Sequence, residues 1–300
     1  MDAWIPITIM AALAQTVRFM AQKQLKTAGL STGGATFARF IYSAPLVAVL
    51  ILIYAAISQQ ALPNVNGSFW AYALSGGLTQ ILATMCVVAI FSHRNFAVGI
   101  TFKKSEVVMT AIASYLILGE GVGVIGAVAI VIGLIGVLML SDPPGGEGPY
   151  LSRVFNRSAG LGLLSGVFFS ISAVGYRGAS LALDSGDTVL RAGVTLAIVT
   201  AVQTLTMALW LAWRERGQIL AVMRAWRVAG VVGITSMIGS FCWFTAFTLQ
   251  NVAYVNALGQ IELIFSIAAS ALFFKEKITA RELRGIAVLT AGILVLVFLR

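Results

Sequence analysis

Two glutamates, Glu106 and Glu262, stand 156 positions apart, each inside an apolar stretch. Lys103 and Lys104 precede the first, whereas Gly259 and Gln260 hold the matching places before the second. A charge in the bilayer interior costs about 2.5–3.5 kcal/mol on the insertion scale, so one retained there needs a reason. One reason is to line a polar cavity and meet the ammonium or carboxylate of a substrate. The other is internal: Glu106 pairs with a nearby lysine and locks its helix, or a lysine near a helix end snorkels to the surface. Both readings stand for Glu106 and Lys103, and Lys104 is read in the second way. Gln15, Gln80, Trp243, Tyr254, Asn256 and Gln260 are the remaining candidates for cavity lining. Each alone suits helix packing or interface anchoring equally well.

A second set of residues reads as structural. Arg39 and Arg191 sit early in two apolar runs and suit a scaffold role, holding helix-end carbonyls or a facing carboxylate. Glu120 and Glu276 end two runs and are expected to cap or brace the next helix. Gly126 with Gly133, and Gly285 with Gly292, are seven residues apart, so each pair shares a helix face and marks close packing. Arg18 and Arg177 are near enough to helix ends to snorkel, although Arg177 follows Tyr176 and could face a vestibule.

Covalent chemistry finds no support. A single His93 gives no multi-histidine metal site and a poor start for a triad. No phosphate-cradling loop is present, which argues against direct ATP drive. No cofactor or metal is expected, and the chain is expected not to be an enzyme. Cys86 and Cys242 both lie in apolar runs and do not suggest a disulfide framework.

The elements that position these residues follow from composition. Of 300 residues 59% are hydrophobic and only 10% are charged, against roughly a quarter charged in soluble domains. Lipid must therefore cover the apolar surface. A spanning helix needs roughly 20 residues, and the apolar runs are continuous rather than alternating as in a barrel. Ten spans are expected, at 4–22, 34–57, 69–92, 97–118, 122–140, 159–183, 188–213, 228–249, 253–274 and 283–299. The fold expected is an all-α integral membrane protein. The net charge of +9 lies mostly at the ends of apolar runs, which is a topology signal and not a nucleic-acid footprint. The start, Met1-Asp2-Ala3-Trp4, lacks a basic n-region, so the first helix is expected to be retained.

The Pro/Gly-rich stretch after Ser141 falls near the middle and divides the chain into 1–142, a linker at 143–157, and 158–300. Shifting the sequence by 156 positions aligns Trp70 with Trp226, Cys86 with Cys242, Asn95 with Asn251, Glu106 with Glu262 and Glu120 with Glu276. Matches of such rare residues in one register indicate duplication. Five spans is an odd number, so the second half lies inverted relative to the first, around a central cavity. Connections after the odd spans carry Lys23, Lys26, Arg94, Arg153, Arg157, Arg214, Arg216, Arg224, Arg227, Lys275, Lys277, Arg281 and Arg284; those after the even spans carry no Lys or Arg. The positive-inside rule then puts the linker in the cytoplasm and both termini outside, in the periplasm.

The segment Ala113-Ser114-Tyr115-Leu116-Ile117-Leu118-Gly119-Glu120, and its counterpart ending at Glu276, resembles the end of the fourth helix in each half of the drug/metabolite transporter superfamily, EamA-like branch. Gly126, Gly133, Gly285 and Gly292 match the glycines that follow there, and Arg39 resembles the arginine of the family's second helix. Val107 and Leu263 stand where many members have proline, which removes the basis for a proline kink. Within the superfamily the chain looks most like bacterial exporters of aromatic and neutral amino acids. The resemblance implies a cavity lined mainly by spans 1, 3, 4, 6, 8 and 9, alternating access, and a bacterial inner-membrane location. The partners expected are a small-molecule substrate and the lipid bilayer, with the chain a monomer or weak homodimer. Export of lipophilic cationic drugs is the alternative: Glu106 and Glu262 suit cations, while Lys103 with the Gln and Asn groups suits zwitterions. A non-transporting membrane scaffold is the least favoured reading.

Overall fold

A computed structural model describes residues 2–91, 102–140, 157–274 and 280–299. Glu276, His93 and the linker up to residue 156 lie outside the described residues. Every regular element described is an α-helix: α1 (Trp4–Thr27), α2 (Thr32–Ile41), α3 (Ser43–Ser58), α4 (Gly67–Ile90), α5 (Glu106–Leu118), α6 (Val124–Leu140), α7 (Arg157–Leu181), α8 (Thr188–Arg214), α9 (Gln218–Arg224), α10 (Trp226–Leu249), α11 (Val252–Gly259), α12 (Glu262–Phe274) and α13 (Ala280–Phe298).

Among the described residues, six segments are long and apolar enough to cross a membrane: α1, α2 with α3, α4, α7, α8 and α10. The shorter apolar helices α5, α6 and α11 running into α12, with the 19-residue α13, fill the remaining places of the ten-span plan. The outward side chains are apolar, as with Leu52, Ile57, Leu116, Val124 and Leu209. Such a surface is stable only against lipid.

The expected second span is interrupted. Pro45 lacks an N–H and its ring crowds the carbonyl four residues back, at Ile41. The helix stops at Ile41 and restarts at Ser43. An additional short helix, α9, follows the left-handed Gly217 (φ 93°) and rests against α2.

Packing repeats between the halves. The first span, α1, lies along α10, the eighth; α7, the sixth, lies along α4, the third. Exchanging the halves exchanges these two contacts, as inverted repeats require. Small residues allow the approach. A Cβ on Gly175 would lie 2.9 Å from the Tyr72 carbonyl oxygen and 3.0 Å from Gly76 Cα, and one on Gly239 would lie 3.3 Å from Ala14 Cβ. The last spans of each half, α6 and α13, cross at Gly133, Gly136 and Gly292, where a Cβ on Gly292 would lie 2.6 Å from the Gly133 nitrogen. Without a hydrophobic drive between helices in lipid, such close contact is the main source of association.

The connections sort onto two faces. Ser31, after the first span, receives Gln218 as an acceptor for its amide at 3.0 Å and donates its hydroxyl to Glu215, after the seventh. On the opposite face Asn66 donates to the Ala182 carbonyl at 2.9 Å, and Tyr54 donates to Asp187 at 2.9 Å. Odd connections meet odd and even meet even, as a serpentine of spans requires.

Candidate functional site

The two glutamates owe their setting to a shared distortion. In the first half the Ser105 amide bonds Phe102 O at 3.1 Å and the Val107 amide bonds Lys104 O at 3.4 Å. In the second the Ile261 amide bonds Leu258 O at 3.1 Å and the Leu263 amide bonds Gln260 O at 3.0 Å. These are i to i−3 bonds at equivalent registers. Each fourth span therefore tightens and restarts, at Glu106 and at Glu262. The break occurs although no proline is present. Each carboxylate stands in the first turn of its new helix, where the positive end of the helix dipole favours it. Discontinuous helices of this kind place backbone ends at the middle of a membrane bundle.

Between the halves lies a narrow cavity of about 50 Å³, room for a few waters where one needs roughly 10–15 Å³. Gln15 of α1, Gln80 of α4, Lys103, Glu106, Trp243 of α10, Asn256 of α11, Gln260 and Glu262 all line it. Tyr254 is not among the lining residues. Its hydroxyl accepts from the Gly123 amide at 2.9 Å, and its ring fills the space that the missing Gly126 side chain leaves.

The charges are connected. Lys103 Nζ lies 3.1 Å from Glu106 Oε2 and faces the Phe169 ring at 5.0 Å from its centroid. Lys104 Nζ lies 3.8 Å from Glu262 Oε1, so a lysine of the first half serves the carboxylate of the second. Gln15 Nε2 donates to Glu262 Oε2 at 2.6 Å, and Arg18 Nη2 donates to Gln15 Oε1 at 3.2 Å. Lys104 does not snorkel: it is 2% exposed. Arg18 does not snorkel either, being 3% exposed and turned inward. Arg39, read as scaffold, also lines the cavity; it donates to Thr84 Oγ1 at 3.1 Å and Ser240 Oγ at 3.3 Å. Among the described residues the cluster thus holds four buried cations, Arg18, Arg39, Lys103 and Lys104, around two carboxylates.

Aromatic rings form the rest of the wall. Tyr176 stacks on Phe244 with centroids 4.2 Å apart, and Trp243 on Phe247 at 5.6 Å. Gly259 lets the indole of Trp243 lie against the α11 backbone, a place a side chain would occupy. Tyr176 and Gln80 both accept from Gln203 Nε2, at 3.2 Å and 3.0 Å. Asn256 Nδ2 donates to Thr110 Oγ1 at 2.9 Å, across the halves. Phe169, Ser172 and Tyr176 are not among the lining residues expected from the sequence, because they look like ordinary packing residues; Arg177, the charge that follows Tyr176, turns to Glu120 instead.

The expected structural residues sit at the rim and the seams. Glu120 does not cap its own neighbour but binds Arg177 Nε, at 2.9 and 2.7 Å through its two oxygens. The same guanidinium donates to the Phe247 and Gln250 carbonyls at the end of α10. Arg191 donates to the Ser180 carbonyl at 2.9 Å, near the end of α7. Gly285 accommodates Leu140, and Gly133 faces Gly292 and Leu289.

The site can bind and hold charge; among the described residues no group of three or more His, Cys, Asp or Glu could hold a metal ion. A bundle of inverted halves with a polar cavity at paired helix breaks defines a membrane carrier. The EamA-like transporter family matches residues 2–142 and 156–298, and the chain belongs to it. It is a multi-pass membrane transporter, not an enzyme. No curated protein matches the chain. A protein crystal structure is similar at a TM-score of 0.75 and 14% identity, over 99% of this chain and 97% of that one. At that identity the likeness speaks for the fold alone.

Proposed function

We propose that the protein exports amino acids, aromatic or neutral ones, or closely related metabolites, from a bacterial cell by alternating access. The observation that carries this reading is the cavity's composition: acceptors at Glu106, Glu262 and Gln260, an excess of buried cations, and an aromatic wall. A zwitterion supplies one partner for each sign, and an aromatic side chain fits against Phe169, Tyr176 and Phe244. The surplus of positive charge counts against lipophilic cations, which would meet four like charges and two opposite ones. The cavity is too small for an amino acid as it stands, so loading requires the halves to part.

The two units 1–142 and 158–300 act as the moving parts, joined by the linker at 143–157. The basic face, with Lys23, Lys26, Arg214, Arg216, Arg224 and Arg227, is assigned to the cytoplasm and the termini to the periplasm, in the inner membrane. Gln15, Gln80, Lys103, Glu106, Trp243, Asn256, Gln260 and Glu262 are assigned to substrate contact.

The test is thermal stabilisation of the purified protein by L-phenylalanine, L-tyrosine, L-tryptophan, L-leucine and L-threonine, beside tetraphenylphosphonium. Stabilisation by one or more of the amino acids at millimolar concentration is expected. Stabilisation by tetraphenylphosphonium alone would replace this reading with cation export.

A further inference from the structure

Beside the central cavity a second, tighter cleft runs between α1 and α10, lined by Gln15, Arg18, Thr235, Ser236, Ser240 and Trp243. Gln15, Ser240 and Trp243 also line the cavity, so the two spaces adjoin. Three groups that can donate a hydrogen bond are buried in it without a partner: Arg18 Nε, Trp243 Nε1 and Ser236 Oγ. Buried donors are rarely left unpaired, and each such group calls for an explanation. An indole N–H and a guanidinium Nε–H cannot accept, so what completes them is an acceptor. Arg18 has no carboxylate within ion-pairing distance among the described residues, and the cleft is too narrow for a water. Gln260 Oε1 is a buried acceptor without a partner, and both it and Glu262 line the adjoining cavity. Three unpaired donors thus gather in the cleft, beside a cavity that Gln260 and Glu262 line.

We infer that this cleft is the seat of the substrate's carboxylate, held by Arg18, Trp243 and Ser236, while Glu262 and Gln260 receive the ammonium. The inference rests on the proposed amino-acid reading and names the groups that would tell an acid from an amine. Gln15 joins the two groups, accepting from Arg18 at 3.2 Å and donating to Glu262 at 2.6 Å. A substrate spanning the cavity takes over those bonds. In the empty state α1 and α10 close on the cleft, and the carboxylate enters as they separate.

The experiment uses the full chain, purified in detergent, with equilibrium binding of L-phenylalanine, phenylacetate, which lacks the ammonium, and phenethylamine, which lacks the carboxylate. Trp243→Phe deletes the N–H and keeps a ring; Ser236→Ala and Arg18→Gln remove the other donors. Each is expected to weaken phenylalanine and phenylacetate by about tenfold; Trp243→Phe and Ser236→Ala should change phenethylamine by less than twofold, and Arg18→Gln, which removes a like charge, should leave it unchanged or tighter. Equal losses for all three ligands, or unchanged phenylacetate binding in Trp243→Phe, would overturn the assignment. If Arg18→Gln yields no folded protein, Trp243→Phe with Ser236→Ala decides. Chloride titrated into a low-salt sample separates an inorganic anion from the substrate's own group: stabilisation by chloride that phenylacetate fails to displace would also overturn it. Should amino acids fail to be transported while phenylacetate binding still depends on Trp243, the seat stands and the amino-acid reading falls. Transport that proceeds with no acid-selective effect of these variants rejects the seat alone.

Discussion

Replacing Glu262 by Gln and Lys104 by Met should have unequal costs, and the inequality follows from the charge count. The pair is separated by 3.8 Å and nearly closed to solvent. At an effective dielectric of about 20 the attraction is on the order of 4 kcal/mol, and breaking a buried pair from one side typically costs about 3–5 kcal/mol. That range applies to Glu262→Gln, which leaves four cations facing Glu106 alone. Lys104→Met instead removes one of the surplus cations. Glu262 keeps the Gln15 amide at 2.6 Å, and the other cations of the cluster still face it, so a loss of about 1–2 kcal/mol is expected, well below the full cost of a broken pair. The double variant should cost less than the sum, by a coupling of about 1–3 kcal/mol, as contacting residues show. The assay is unfolding of the detergent-solubilised protein followed by intrinsic tryptophan fluorescence. Equal losses for the two single variants, or strict additivity in the double, would refute the reasoning that the cluster carries excess positive charge.

Arg177→Met cuts the tie between Glu120 and the end of α10; a loss of about 2–3 kcal/mol, in the range for hydrogen bonds to charged groups, should appear in the same unfolding assay, and Glu120→Gln should couple to it. At the α6–α13 crossing, a Cβ on Gly136 would run into the backbone of Leu289, whereas one on Gly230 would meet nothing within 4 Å. Gly136→Ala should therefore destabilise by at least about 1–3 kcal/mol, and Gly230→Ala should be neutral or stabilise by up to about 1 kcal/mol; unfolding measurements on both check the contrast. Asp187 caps α8: burial acts to raise its pKa, but the amides of Leu190 and Val189 and the side chains of Tyr54 and Gln60 outweigh it and hold the carboxyl below its usual range. A depressed folded-state pKa contributes stability above the unfolded pKa and loses it as pH falls through the folded value. Asp187→Asn should thus be less stable than wild type at neutral pH, with the difference beginning to shrink only below about pH 4 and continuing to fall through the depressed folded value, as thermal unfolding across pH would register.

Much of the architecture was legible because the chain states it twice. Trp70 with Trp226 and Glu106 with Glu262 disclose the repeat, and the parity of five spans makes the second copy inverted. The break before each glutamate was not legible. The usual cause, proline, is replaced by Val107 and Leu263, and the tightened bonds at Lys104 and Gln260 form only in the packed bundle. The break at Tyr42 could have been read from Pro45, four residues beyond the last carbonyl of α2. Gln15, Gln80, Trp243 and the paired charges were visible as polar groups out of place in apolar runs. Tyr254 satisfied the same criterion and yet serves a seam, since polarity alone does not say which side of a helix meets the cavity. Arg18 reads from the sequence as able to snorkel, yet it is buried, because sequence distance to a helix end is a poor measure of depth once neighbouring helices close over a side chain; Lys104 reads as an internal pairing or snorkelling residue, and it pairs, with Glu262. The α7 wall, by contrast, is built of Phe169, Ser172 and Tyr176, which look like ordinary packing residues.

The most direct test is counterflow in proteoliposomes. Vesicles loaded with unlabelled L-phenylalanine, L-tryptophan or L-threonine and diluted into the labelled amino acid should accumulate label transiently, and Glu262→Gln vesicles should not. Counterflow of none of the twenty amino acids, with vigorous counterflow of tetraphenylphosphonium through the same protein, would contradict amino-acid export.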